Sequence, residues 1–194
     1  MKHRGAIVSA IGFGAALLVG WYLFPMALYE TREQPMQFSH KVHGENAGMS
    51  CEDCHALADD GRFQGTAGLA KCAECHSTQL GETDGEKILV DRYVTPNREI
   101  PWLVYSRQPD NAYFPHASHI RLAGLACEDC HGQHGSSGQL RVLEVNRISG
   151  YSRDIWGPNI SGLPSENWQG MKMSRCVNCH ADNGRRDGCI DCHK

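Results

Sequence analysis

Beyond its first 29 residues the chain has no long apolar run and few segments of sustained hydrophobic periodicity. A conventional side-chain core for a domain of this length is therefore missing. No Ser-His-Asp arrangement, phosphate loop or dinucleotide fingerprint is present, so the sequence offers none of the usual equipment for hydrolysis, phosphoryl transfer or hydride transfer. Positive charge is not in excess: 19 Lys and Arg against 22 Asp and Glu give a formal charge of -3, and leaving out Lys2 and Arg4 takes the remainder to -5. That balance argues against nucleic acid as a partner and suits a basic soluble protein. Nor is any cysteine spare, because all ten belong to one recurring pattern.

The pattern is Cys-x-x-Cys-His, and it occurs five times: Cys51, Cys54 and His55; Cys72, Cys75 and His76; Cys127, Cys130 and His131; Cys176, Cys179 and His180; Cys189, Cys192 and His193. Two thiols at this spacing can each add to one vinyl group of a haem, and the adjoining histidine then reaches the iron from one face, so the motif predicts covalent c-type haem attachment. Structural zinc needs four thiolate or imidazole ligands per metal and has no reason to place histidine directly after every pair. With 11 histidines in 194 residues, five out of five is not accidental. A disulfide across so short a gap would constrain almost no chain. The pattern predicts five covalent haems and a protein that carries electrons. The acids inside the motifs are interior residues of the attachment site and are not expected to act as general acids or bases.

At the N-terminus, Lys2 and Arg4 precede an uncharged stretch from Gly5 to Tyr29. Its length suffices to span a bilayer. A cleaved signal peptide would have a shorter apolar stretch and a small-x-small site, whereas this one runs through Trp21, Tyr22, Leu23, Phe24 and Pro25. We read residues 1–29 as an uncleaved anchor in a bacterial inner membrane, with Lys2 and Arg4 cytoplasmic and residues 30–194 in the periplasm, where haem is attached. His3 is then an ordinary residue of the charged flank.

The exterior part contains an internal repeat. Residues 38–55 read FSHKVHGENAGMSCEDCH and residues 114–131 read FPHASHIRLAGLACEDCH, aligned without a gap at an offset of 76. The reading is two haem modules, 38–76 and 114–193. A haem iron that only shuttles electrons needs a ligand on each face, and the motif histidine fills one. His40, His43, His116, His119 and His134 are the remaining exterior histidines, five distal candidates for five haems. The two histidines of each Phe-x-His-x-x-His unit are three apart, so a helical turn presents them to similar sides from different levels, and one can serve its own module while the other reaches a neighbour. Met173 is a further candidate; if it ligates, His134 or His119 is released. With every coordination sphere closed, no iron is left open for a substrate, and catalytic residues are not expected.

The expected fold is that of a multihaem cytochrome c: mostly irregular, with short α-helices packed on haems, little β-structure and one N-terminal transmembrane helix. Macrocycle burial replaces much of the absent side-chain core. Residues 86–96, EKILVDRYVTP, alternate over a length suited to one strand. The segment between His76 and Phe114 reads as a connector between modules or a docking strip. The insertion from Gly135 to Gln169, with Trp156, Pro158, Pro164 and Trp168, shows few signs of its own core; its aromatics cover haem faces or form a partner interface.

The leading Phe-x-His-x-x-His followed by Cys-x-x-Cys-His is similar to class III multihaem cytochromes. The stretch from Pro101 to His131 (PW, QPDNAYFPHASH, AGLACEDCHG), a later Met-x-x-Cys-x-x-Cys-His at Met173 and an N-terminal anchor together resemble the multihaem cytochrome c subunits of the menaquinone reductase (Qrc) complex and of alternative complex III. The likeness covers most of the exterior part. It implies the five attachment motifs, His40, His43, His116 and His119 as distal ligands, and Met173 less firmly, since its context MKMSRC lacks a Gly-aromatic step associated with alternative complex III. It further implies a subunit that is not an enzyme on its own. Electrons would pass between a soluble periplasmic multihaem cytochrome c of class III type and an iron-sulfur/molybdopterin-like subunit, with a polytopic membrane subunit handling the quinone. The Qrc-like version is the preferred one. The alternative is a small anchored quinol dehydrogenase feeding a periplasmic reductase. A sixth haem, held without a Cys-x-x-Cys pair, is left open.

Overall fold

A computed structural model describes residues 2–106, 110–150, 173–185 and 188–193. It opens on one continuous apolar helix: α1 (Lys2–Leu18), a π-helical turn (Val19–Leu23) and α2 (Phe24–Leu28). The span Arg4–Leu28 is long and apolar enough to cross a membrane, by length and composition, and none of it is buried against the rest of the chain. Tyr29, read from the sequence as the end of this stretch, already belongs to the strand β1 (Tyr29–Arg32).

β1 pairs antiparallel with β2 (Leu143–Asn146), in a register that sets Tyr29 against Asn146 and Arg32 against Leu143. Arg147 extends the ladder by donating its N–H to the Leu28 carbonyl at 2.8 Å. Its guanidinium meets the Glu30 carboxylate at 3.2 Å. The chain leaving the apolar helix is thus tied at once to a segment more than 110 residues further on.

The remaining helices are short: α3 (His40–Glu45), α4 (Leu69–Ala73), α5 (Asp84–Leu89), α6 (Cys127–His131), α7 (Met173–Asp182) and α8 (Cys189–Cys192). Single turns at Cys51–Asp53, Val90–Val94, Ser118–Leu122 and His134–Ser136 complete the set. Among the described residues the architecture is helical with little strand, and the scarcity of strand agrees with the weak periodicity of the sequence.

The strand expected over residues 86–96 is not formed. Those residues lie in α5 and the π-helical turn that continues it. The apolar positions explain the difference: Leu89 and Tyr93, four apart, are the buried pair, with Ile88 and Val94 packed beside them, which is a helical stripe. Thr83 starts the helix by accepting a hydrogen bond from the Glu86 N–H at its side-chain oxygen.

This segment is also more than a connector or docking strip. Leu89, Tyr93 and Ile100 join Met36 and Leu69 in the principal apolar cluster, with Cys72 and Trp102 at its edge. Apart from it, the buried apolar residues among those described are Leu143 and Val145 of β2, and no side chain is fully enclosed. Polypeptide alone gives the described part of this domain little interior. Of the second insertion, residues 151–169, with Trp156, Pro158, Pro164 and Trp168, lie outside the described residues, as does Met171.

Candidate haem-binding site

Each Phe-x-His-x-x-His unit folds on its own phenylalanine. In the first, Phe38 stacks on His43 (ring centroids 4.2 Å apart, 22° between planes) and meets His40 edge-on (4.9 Å, 80°). In the second, Phe114 stacks on His119 (4.4 Å, 22°) and meets His116 edge-on (4.9 Å, 88°). His43 donates from Nδ1 to the Ser39 carbonyl at 2.8 Å, and His119 does the same to Pro115 at 3.0 Å. In both units the second histidine is locked with Nε2 directed away from its own backbone.

The motif histidines stand opposite these rings. His40 faces His55 (6.5 Å between centroids, 23°), His43 faces His76 (6.1 Å, 52°), and His119 faces His180 (5.9 Å, 13°). Two imidazoles on opposite faces of one iron have centroids about 6 Å apart, twice the sum of a metal–nitrogen bond of about 2.0 Å and the roughly 1.1 Å from nitrogen to ring centre. The three spacings match that figure. Direct stacking would bring the rings closer, as the Phe–His pairs show. The gap therefore fits a metal between the rings, and the residues present suit haem.

Protonation agrees with the geometry. His55 donates from Nδ1 to the Gly65 carbonyl at 3.1 Å, and His76 to a Glu86 carboxylate oxygen at 3.0 Å. The Ser137 hydroxyl gives its proton to the His134 carbonyl, so it accepts from His40 Nδ1 at 3.3 Å. In the His40–His55 and His43–His76 pairs every Nδ1 is engaged, leaving Nε2 for a metal. Burial, reinforced by neighbouring imidazoles, holds His40, His116 and His131 below the ordinary histidine range; burial, then Arg185 and His119, does so for His180. Neutral imidazole is the form that binds iron.

Not every candidate is brought into such a pair. His116 is half-buried near His131, and Phe63 stacks on its ring at 4.4 Å. His134 is held at about 4 by burial first, then Arg141, His131 and His40, and meets Tyr105 edge-on. Met173 begins α7 with 65% of its surface exposed. His193 lies at a bridge to Ala112, where Tyr113 N–H reaches the Cys192 carbonyl at 2.7 Å. Among the described residues no second imidazole ring is found at this spacing from His131 or His193.

The attachment motifs form helical turns with a shared start. Asp53, Asp129 and Asp191, the residue before the second cysteine in three of the five copies, each accept the backbone N–H three residues earlier, at 2.7 Å from Ser50, 2.8 Å from Ala126 and 2.7 Å from Gly188. These acids fix the turn that presents the two thiols. No disulfide joins any of the ten cysteines, and before haem attachment burial raises the thiol pKa of Cys54, Cys72, Cys127, Cys130 and Cys176.

Sequence reasoning missed Glu86, Phe63 and Ser137. Phe63 sits on a loop closed by a Leu57–Phe63 bridge and wedges between His55 (6.2 Å) and His116 (4.4 Å). Arg121 of the second unit donates to the Ala58 carbonyl of the same loop at 3.1 Å. At Gly61 the backbone has φ +82°, and a Cβ there would lie 2.8 Å from that of Ala117. Glycine is required at this approach between the modules.

Comparison with known proteins agrees with this chemistry. A family model of class III cytochromes c matches residues 25–99. The chain is 38% identical over 206 aligned residues to the menaquinone reductase multihaem cytochrome c subunit of Nitratidesulfovibrio vulgaris, covering 98% of this chain and 90% of that protein. A cytochrome c carries covalent haem c, and a subunit of this kind transfers electrons without being catalytic itself. With motifs, ring geometry and near-full-length similarity in agreement, the chain belongs to the family of multihaem cytochrome c subunits of menaquinone reductase.

Proposed function

We propose that this chain is the membrane-anchored electron-transfer subunit of a menaquinone reductase-type respiratory complex, carrying five haems on its five Cys-x-x-Cys-His motifs. The observation that carries the reading is the set of three cross-facing imidazole pairs at 5.9–6.5 Å, each joining a motif histidine to a Phe-x-His-x-x-His histidine. Bound haem supplies a one-electron Fe(III)/Fe(II) couple. The chain holds and orients it.

Ring spacing supports three of the ligand assignments, and the other two complete the count of histidines. His40 completes the iron of His55, His43 that of His76 and His119 that of His180, while His116 pairs with His131 inside the second module. His134 and Met173 remain as candidates for the iron of His193. His40 and His116 then serve the first motif of their modules, and His43 and His119 reach later motifs of the same modules, knitting the haems of each module together. A pair of such ligands would hold a bound haem iron low-spin and closed to ligand exchange.

The apolar helix Arg4–Leu28 anchors the subunit in the bacterial inner membrane with the haem domain in the periplasm. A soluble class III-type multihaem cytochrome c exchanges electrons with it on one side. An iron-sulfur/molybdopterin-like subunit and a polytopic quinone-binding subunit exchange electrons with it on the other.

Intact mass of the purified chain should show five added haems on an unprocessed N-terminus. The ferric spectrum should be wholly low-spin. Mild-detergent affinity purification should co-isolate iron-sulfur and polytopic subunits. Isolation with a periplasmic reductase alone would support the anchored quinol dehydrogenase instead, and a stoichiometric high-spin haem that binds cyanide would overturn the ligand assignment.

A further inference from the structure

We propose that Glu86 is a positioning residue that holds the reduction potential of the haem attached at Cys72 and Cys75 below those of haems whose axial histidines meet neutral oxygens. The inference rests on the proposed reading of His76 as an axial ligand. Five imidazoles have a described Nδ1 partner. Four of these partners are neutral: the carbonyls of Ser39, Gly65 and Pro115, and the hydroxyl of Ser137. His76 alone among them faces a carboxylate, with Nδ1 and Glu86 Oε1 3.0 Å apart.

The carboxylate is built into its place. Oε1 also accepts the Leu80 N–H at 2.6 Å, and Oε2 accepts the Gly81 N–H at 2.7 Å. Glu86 lies in the first turn of α5, where its own N–H is capped by Thr83 at 3.3 Å. Only 11% of its side chain is exposed, and 21% of that of His76. A surface glutamate that met histidine by chance would not be held by two backbone donors and screened from water.

The chemical consequence follows from where the charge sits. A carboxylate accepting the Nδ1 proton lends the imidazole imidazolate character and makes it a stronger donor to iron. Ferric iron, the more positive state, gains more from that donation than ferrous iron, so the one-electron couple moves down. During stepwise reduction this haem accepts its electron late.

The test is a spectroscopic redox titration of the holoprotein in its complex, comparing wild type, Glu86→Gln and Thr83→Ala. Glu86→Gln should raise one resolved couple by at least a tenfold change in redox equilibrium constant, about 59 mV for one electron, and leave the others in place. Thr83→Ala loosens the same helix without touching the charge, and should leave all couples in place. A fully loaded, low-spin Glu86→Gln protein with unchanged couples overturns the inference while leaving the haem reading intact. An equal shift in Thr83→Ala also overturns it. If Glu86→Gln fails to load haem, near-infrared magnetic circular dichroism of the unaltered protein decides: one ferric band displaced toward that of an imidazolate ligand upholds the inference, and bands that all coincide defeat it. Unaltered protein without haem at Cys72 defeats both this inference and the function on which it rests.

Discussion

The two Phe-x-His-x-x-His units reach one ring geometry from different backbones. In the first, Ser39 caps α3 through its side chain, and His40 and His43 lie on a regular α-helical turn. In the second, proline occupies the corresponding position 115, no side chain caps the turn, and the backbone passes into a π-helical turn at Ser118–Leu122 with Ala123 N–H bonded to the Ser118 carbonyl. Yet the stacked angle is 22° in both, and the edge-on angles are 80° and 88°. What holds the histidines is the phenylalanine between them and the carbonyl four residues before the second one. The type of helix is secondary.

The units differ more in what surrounds them. The first sits in a segment, residues 36–100, that owns the principal apolar cluster of Met36, Leu69, Leu89, Tyr93 and Ile100. The described part of the second module has no such cluster; its buried residues Leu143, Val145 and Asn146 lie in the two-stranded sheet with the exit of the apolar helix. The second module should therefore depend more heavily on its porphyrins. Replacing Cys127 and Cys130 by alanine should unfold much of it, seen as protease cleavage after residue 114. Replacing Cys51 and Cys54 should leave residues 69–100 protected. Equal sensitivity of both variants would break the contrast.

A smaller effect separates the histidines within the units. His43→Ala and His119→Ala each remove a ring that faces a motif histidine in a later segment. Each variant should show one ferrous haem that binds carbon monoxide, and the other haems should stay low-spin. If His43→Ala remained wholly low-spin while His119→Ala did not, the units would not be equivalent and the assignment of His76 to His43 would fall.

These differences mark what could be read from residues alone. The Cys-x-x-Cys-His pattern and the 18-residue segment repeated at an offset of 76 are contiguous in the chain, so both are legible, and the fold's poverty in strand follows from weak periodicity. The same periodicity misled at residues 86–96, because Ile88, Leu89, Tyr93 and Val94 satisfy either a loose alternation or a helical stripe, and only packing against Met36 and Leu69 chooses between them. Glu86, ten residues from His76, and Phe63, between two histidines of different modules, were invisible because their roles depend on chain reversal through loops. The β1–β2 pairing joins residues so far apart that neither strand's pattern names the other.

The phenylalanines test the common element directly. Phe38 and Phe114 are both half-buried and make matched ring contacts. Phe38→Ala and Phe114→Ala should each cost about 2 kcal/mol, less than the 3–5 kcal/mol of a fully buried ring. Chemical denaturation of the holoprotein, followed by the haem Soret band, measures both. Losses that differ by more than about twofold would show that the surroundings, rather than the shared stacking, dominate each unit.

The smallest effect sharpens the comparison where the backbones diverge. Ser39 accepts the Val42 N–H at 3.2 Å and leaves its carbonyl to His43. Ser39→Ala removes the cap and keeps the carbonyl, so the loss should be about 1 kcal/mol, the usual value of an N-cap. The spectrum should not change, because the ring of His43 is held by Phe38 and by a main-chain oxygen that alanine also provides. Ser39→Pro would copy the second unit outright. Since proline precedes His116 there without disturbing the stack on His119, the same residue before His40 should also preserve low-spin ligation, at a stability close to that of Ser39→Ala. A high-spin signal in Ser39→Pro would mean that the first unit needs its α-helical cap after all, and that the two copies keep their rings by different means.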